Sequence, residues 1–121
     1  MTPAAISLAV YGIYLLANGM ALAVMPSVPL ALLALPATDE PWIRVLGLVA
    51  AEVGFYCLFA ARKGIVAFYP ATVVGRGMAA AVFVALVAFK VGPVQLLIFA
   101  AVDLVTAIWT HLAIKRSRAS S

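Results

Sequence analysis

Four apolar stretches of about twenty residues each dominate the sequence and limit what the chain can fold into. A helix rises 1.5 Å per residue, so about twenty residues cross the ~30 Å hydrocarbon core of a bilayer. Hydrophobic residues make up 67% of the 121-residue chain, and charged residues only 10%. A domain of this size cannot hide that much apolar surface from water. The sequence therefore predicts a single all-α integral membrane domain, a four-helix bundle.

Prolines, glycines and charges set the ends of the predicted helices. Pro26 and Pro29 end the first span. The apolar piece at 30–35 is too short to cross a bilayer, which favours a loop that dips into the interface. Gly92 and Pro93 form a tight turn before the last span. We expect helices at about 3–25, 42–61, 71–90 and 93–114, and then a flexible cytoplasmic tail at 115–121.

The distribution of lysine and arginine predicts the orientation. With four spans, both termini share a side with the connection between the second and third helices. Arg44 and Lys90 lie on the opposite side. Because cytoplasmic segments carry the excess of cations, both termini are predicted to be cytoplasmic. The richer side carries six cations: Arg62, Lys63, Arg76, Lys115, Arg116 and Arg118.

The same distribution bears on partners. The cations mark the edges of apolar segments and do not form the clustered basic face that nucleic acid requires. We therefore expect the lipid bilayer as a partner and no nucleic acid. A second copy of the chain or a larger membrane complex is the expected protein partner.

Two of the four acidic residues lie inside the predicted spans. Glu52 and Asp103 both fall near the bilayer midplane. A charged side chain at that depth costs about 2.5–3.5 kcal/mol on insertion scales, so each should face other helices. Arg76 lies inside the third span and is the candidate cation. Its long side chain can either snorkel outward or reach inward toward one or both acids.

Further polar side chains share faces with these residues. Tyr56 lies one turn after Glu52, and Thr106 and Thr110 follow Asp103 along one face of the last helix. The predicted polar cluster comprises Glu52, Arg76, Asp103, Tyr56, Thr106 and Asn18. An ionic staple that fixes helix order is the favoured interpretation. A proton-sharing or ligand-binding cluster, or contact with another chain, are the alternatives. Membrane threonines more often bond their own backbone.

The single histidine and the single cysteine argue against a metal site. His111 lies near the end of the last span, where an interfacial role is favoured over ligation. Cys57 lies within an apolar run and is expected to be a small buried hydrophobe. One cysteine allows neither an intramolecular disulfide nor a thiolate metal site. The sequence therefore predicts no metal and identifies no cofactor.

Small residues recur at a spacing of four in the second and third spans. Such pairs allow close approach of membrane helices. They indicate that the second and third helices can approach closely. The pairs are Gly47 and Ala51, Ala50 and Gly54, and Gly77 and Ala81.

Several segments in the last two-thirds of the chain resemble the small four-helix bacterial membrane proteins of the DoxX-like kind and neighbouring uncharacterised families. The resemblance implies a compact four-helix bundle in a bacterial inner membrane. It implies no defined reaction, and no catalytic residue carries over. The segments are residues 42–47, 54–56, 60–62, Gly75-Arg76, and Asp103 with 107–110.

Three functions remain open at this point, and whether the protein is an enzyme is one of the open questions. The first is an accessory or scaffold subunit, as a homo-oligomeric bundle or within a larger complex. The second is a small proton-linked transporter that uses Glu52 and Asp103. The third is an enzyme acting on a lipophilic small molecule, with Glu52, Asp103 and Tyr56 as acid–base groups.

Overall fold

The computed structural model describes residues 2–36, 38 and 40–120, except for the side chains of 117–120. Within this part of the chain all regular structure is helical. Four of the helices are long and apolar enough to cross a membrane. The prediction of an all-α chain with four helices able to span a membrane is thus confirmed. The helices are α1 (Pro3–Val24), α2 (Ser27–Leu32), α3 (Pro41–Lys63), α4 (Phe68–Ala88) and α5 (Leu96–Ser120).

Local chemistry accounts for the helix ends. The Thr2 hydroxyl accepts the Ala5 N–H at 3.2 Å and caps the start of α1. Gly64, with φ of 66°, follows the end of α3 in the left-handed conformation that glycine adopts readily. After α2, Ala34 adopts a positive φ of 56°, and the chain turns away from the helix. The short helix α2 overlaps the segment at 30–35 that the sequence predicted as an interfacial loop.

The last helix differs most from its predicted bounds. It begins at Leu96 rather than Pro93, because residues 89–95 form the turn that follows α4. It then continues to Ser120. The segment at 115–120, predicted as part of a flexible tail, is therefore helical, and Ser121 lies outside the described residues. Neither glycine nor proline occurs after Ile114, and lysine, arginine and alanine are good helix formers.

Contacts divide the chain into two compact units, where the sequence predicted one domain. The glycine-packed unit is Ala9–Phe59, and the polar-core unit is Met1–Leu8 with Ala60–Ser121. The division falls inside α1 and inside α3, so it does not coincide with the ends of helices.

In the glycine-packed unit, α1 and α3 run antiparallel and touch at their backbones. A Cβ added to Gly12 would lie 2.8 Å from the Gly54 carbonyl oxygen. A Cβ added to Gly19 would lie 2.5 Å from the Gly47 carbonyl oxygen. Both helices space these glycines seven residues apart, so one face of each helix carries them. Close packing therefore joins α1 to α3 and uses Gly47 and Gly54 for it.

The other predicted small-residue pair is not used in this way. Gly77 on α4 has nothing within 4 Å of an added Cβ. With Ala81 it lines a shallow groove between α4 and α5. Gly47 and Gly54 pack against α1, and an added Cβ at Gly77 meets nothing. These glycines therefore do not bring α3 and α4 together, as the sequence suggested they could.

In the polar-core unit, α4 and α5 pack antiparallel. The Arg76 guanidinium reaches Thr110, while further along α4 the ring of Phe83 lies 5.9 Å from that of Phe99. The start of α1 joins them through Ser7. The short connection through Gly92 places α4 and α5 side by side, as expected for neighbours in a bundle.

Candidate functional site

Among the residues that the structure describes, four polar side chains are buried in the polar-core unit. Ser7 and Thr110 are completely inaccessible to solvent, Arg76 is 3% exposed and Asp103 is 6% exposed. They come from three helices, α1, α4 and α5. Most of the core around them is alanine, with Leu8 and Tyr69 as the larger side chains. Small neighbours leave the space that a guanidinium needs inside a helical unit.

Arg76 points inward and does not snorkel. Its Cα lies eight residues after the start of α4 at Phe68, or about 12 Å along the helix. Its Nε donates to the Thr72 carbonyl oxygen at 3.1 Å, and Nη2 donates to the Thr72 hydroxyl at 3.0 Å. Nη2 also donates to the Thr110 hydroxyl at 3.0 Å. The guanidinium thus ties the first half of α4 to α5.

The hydroxyl groups continue this link in one direction. Ser7 donates its single hydroxyl proton to the Ala4 carbonyl oxygen at 2.7 Å. Thr110 and Ser7 lie 2.7 Å apart, so Thr110 must be the donor to Ser7. The chain therefore runs from Arg76 through Thr110 and Ser7 to the backbone of α1. Because it ends on a carbonyl, which cannot pass on a proton, its chemistry suits a tie between helices better than a proton relay.

Asp103 belongs to the same unit. It lies seven residues before Thr110 on α5, two turns or about 10.5 Å away, so the two residues share a helix face. Its burial agrees with the expectation that a carboxyl at this depth turns toward protein. The structure thus places Asp103 and Arg76, two of the six predicted residues, in one buried region.

Glu52 lies elsewhere, on an exposed face of α3. It is eleven residues from either end of that helix, Pro41 and Lys63, so it sits at mid-span. The expectation that this carboxyl faces other helices of the same chain is not met. The reason is the glycine face: Gly47, Ala51 and Gly54 turn toward α1, and Glu52, one residue after Ala51, points about 100° away.

The three remaining predicted residues are not buried. Tyr56 is 55% exposed, with its ring 6.1 Å from that of Phe55. Asn18 is exposed and its amide donates to the Tyr14 carbonyl oxygen on its own helix at 2.8 Å. Thr106 is half-buried and bonds the Val102 carbonyl oxygen at 2.7 Å, the backbone bond expected of a membrane threonine.

Two members of the hydrogen-bonded chain were not predicted. Thr72 lies four residues before Arg76, and that spacing alone places its hydroxyl beside the guanidinium. Ser7 is the less visible residue, since a single serine in an alanine-rich helix is ordinary in a membrane span. Neither the position of Thr72 nor that of Ser7 in the sequence indicates that Thr110 connects Arg76 to Ser7.

The arrangement offers no evident place for a metal ion. Within the described part of the chain, no three His, Cys, Asp or Glu side chains group closely enough to hold one. Cys57 is buried among apolar neighbours, as expected. Among the described residues, the buried polar side chains of the polar-core unit offer one guanidinium, one carboxyl and two hydroxyls, all held on helices.

These features define a class: a multi-pass helical membrane protein with a buried polar core in one unit and a glycine-packed pair of helices in the other. No family model, no curated protein and no solved structure matches the chain.

Proposed function

We propose that the protein is an accessory or scaffold subunit that assembles as a homo-oligomer in a bacterial inner membrane, through the face of α3 that carries Glu52. The observation that carries this proposal is the exposure of a carboxyl at the middle of a helix that can span a membrane. Leaving it in lipid costs about 2.5–3.5 kcal/mol as a charge. A partner that covers Glu52 removes that cost.

The rest of that face suits a helix partner. Exposed apolar side chains precede Glu52 by one and two turns and follow it by one and two turns. Phe55 and Phe59 stack with their centroids 6.4 Å apart and form a rigid aromatic surface beyond the acid. Large apolar side chains around one polar group give a tight contact in which the polar group fixes register. The surface, here named the Glu52 face, comprises Val45, Val49, Glu52, Phe55, Tyr56 and Phe59.

A second copy of the chain is the expected partner, because it carries a carboxyl at the same depth in the membrane as Glu52. In an interface with two-fold symmetry residue i contacts residue j and j contacts i, and a residue on the symmetry axis meets its own counterpart. We place this axis along the membrane normal, beside Glu52. Two copies inserted in the same orientation therefore bring Glu52 to the partner's Glu52 at the same depth. One carboxyl can then donate a hydrogen bond to the other, which satisfies both without a cation.

The orientation and the membrane belong to the proposal as well. The excess of cations beside the termini supports cytoplasmic ends for α1 and α5. Arg76 is buried, so it contributes less to that argument than the exposed cations Arg62, Lys63, Lys115 and Arg116 do. The layout that resembles DoxX-like proteins supports the bacterial inner membrane.

A proton-linked transporter is the second candidate, and one observation favours it: two carboxyls, Glu52 and Asp103, lie within candidate spans. A symmetric assembly would supply the extra helices that such a pathway needs. The enzyme hypothesis has less support, because two of its three groups, Glu52 and Tyr56, are exposed and so lie outside an enclosed site.

Cysteine crosslinking in native membranes tests the assembly. Val49→Cys, in a Cys57→Ala background, places a thiol one turn before Glu52 on the same face. Met78→Cys is the control, because Met78 is 65% exposed and lies at the middle of α4. We expect Val49→Cys to give several-fold more disulfide-linked dimer than Met78→Cys. Equal crosslinking, or none at Val49, would refute the proposal.

Two substitutions of the carboxyl sharpen the result. Glu52→Gln keeps a group that can hydrogen-bond across the interface, and Glu52→Leu removes it. We expect the dimer fraction in liposomes, measured by fluorescence energy transfer on dilution, to persist in Glu52→Gln and to fall in Glu52→Leu. A transporter makes a different demand, since Glu52→Gln would then abolish proton movement while leaving assembly intact.

A further inference from the structure

A groove lies on the polar-core unit between the first turn of α1 and the second half of α5. Its volume is about 590 Å³. Thr2 and Pro3 form the α1 side, and the remaining lining comes from α5. It is separate from the Glu52 face, which belongs to the glycine-packed unit. The α5 residues are Val105, Ile108, Trp109, Leu112, Ala113 and Arg116.

The chemistry of the groove changes along α5. Val105, Ile108 and Leu112 form an apolar wall two turns long, about 10 Å. Trp109 lies at its side and is 41% exposed, a position that suits the amphipathic indole at a membrane interface. Arg116 closes the groove and lies twenty residues, about 30 Å, after the start of α5 at Leu96, which is the thickness of a hydrocarbon core. An apolar wall thus leads to a guanidinium at the depth of lipid head groups.

The cation Arg116 follows a second cation in the sequence. Lys115 is exposed beside it, and no acid is found among the described residues that line the groove. A guanidinium binds a phosphate through paired hydrogen bonds, and in an anionic phospholipid no positive choline group competes for that phosphate. The ligand that satisfies both ends of the groove has hydrocarbon at one end and an anionic phosphate at the other.

We propose that this groove binds one anionic phospholipid, with its phosphate on Arg116 and part of one acyl chain along Val105, Ile108 and Leu112. The proposal does not depend on assembly through the Glu52 face. It gives the α1–α5 groove a ligand that is available in any bacterial membrane, and it makes retention of that lipid depend on one side chain.

Native mass spectrometry of the detergent-purified protein tests the site. The protein is incubated with phosphatidylglycerol or with phosphatidylcholine of the same acyl chains. We expect several-fold more phosphatidylglycerol to remain bound. A cation near the membrane surface is worth on the order of five-fold in binding to anionic lipid, so Arg116→Gln should lower retention of phosphatidylglycerol by about that factor. Retention of phosphatidylcholine, which has no net charge, should fall by less.

Three results would overturn the proposal. Arg62→Gln is the matched control, because Arg62 is an exposed cation that does not line the groove. An equal loss in Arg62→Gln and Arg116→Gln would show general attraction to charge. Equal retention of the two lipids would show that the net negative charge of the lipid has no role, because both lipids carry a phosphate. Displacement of bound phosphatidylglycerol by inorganic phosphate alone would show that the acyl wall contributes nothing.

Discussion

The helices within each of the two units are held together in a different way. In the glycine-packed unit, α1 and α3 meet where side chains are absent, and backbone atoms of one helix lie against those of the other. In the polar-core unit, α1, α4 and α5 meet through side chains, with Arg76, Thr110 and Ser7 in one hydrogen-bonded chain. The first unit depends on shape, and the second on directed polar contacts.

The difference matters because a bilayer supplies little hydrophobic driving force between helices. Close backbone approach gains dispersion energy over a long contact but tolerates no added atom. A hydrogen bond tolerates small shifts, and its loss costs only a modest amount in membrane proteins. Substitutions in the two units should therefore differ in size as well as in kind.

The largest effect is expected at Gly19. An added Cβ would lie 2.5 Å from both the Gly47 carbonyl oxygen and the Ala51 backbone nitrogen. Backbone on that side cannot move without shifting α3. We expect Gly19→Ala to lower the free energy of unfolding by about 3 kcal/mol, the upper part of the range for overpacking. Reversible unfolding of the purified protein by titration of a denaturing detergent measures it.

Gly77→Ala is the matched control for that substitution. Gly77 also lies within a helix, but an added Cβ there meets nothing within 4 Å. Alanine is the better helix former by about 1 kcal/mol, so this variant should be as stable as the parent or slightly more so. Similar losses in the two variants would mean that the α1–α3 contact is not as close as described.

The sequence predicts the helices well and the faces poorly, for a physical reason. Span positions follow from the length of apolar runs, which lipid thickness constrains directly. The face of α3 that turns inward is set by Gly12 and Gly19 of α1, a helix far away in the sequence. The alanine-rich spans also offer many equivalent faces of small residues. The orientation of Glu52 could therefore not be predicted from α3 alone.

Arg76 shows the same limit at the candidate site. Its depth allowed an inward or an outward side chain, because the stem is long enough for both. Thr110, from a different helix, provides the bond that favours the inward conformation. Asp103 was easier to predict, since a short carboxyl at that depth cannot reach water.

An intermediate effect is expected at Thr110. Valine has nearly the same shape, so Thr110→Val removes the hydroxyl that accepts from Arg76 and donates to Ser7 without creating a void. We expect a loss of about 1–2 kcal/mol in the same unfolding measurement, as found for hydrogen bonds between membrane helices.

Thr106→Val is the control. Its hydroxyl bonds only backbone of its own helix, so its loss should stay below about 0.5 kcal/mol. Equal losses would argue against the hydrogen-bonded chain as the tie between helices.

The smallest effect is expected at Arg44, whose side chain ties α3 to the end of α1 in the glycine-packed unit. Its Nη1 donates to the Ala23 and Val24 carbonyl oxygens at 2.8 and 3.0 Å, where the negative end of the α1 dipole lies. Because Arg44 is exposed, water can replace these bonds, and Arg44→Gln should cost about 0.5 kcal/mol. Arg44→Lys keeps the charge beside the carbonyls and should lose less still. A loss at Arg44 as large as that at Thr110 would show that the glycine-packed unit also depends on polar side chains, and the contrast between shape and directed contacts would no longer separate the two units.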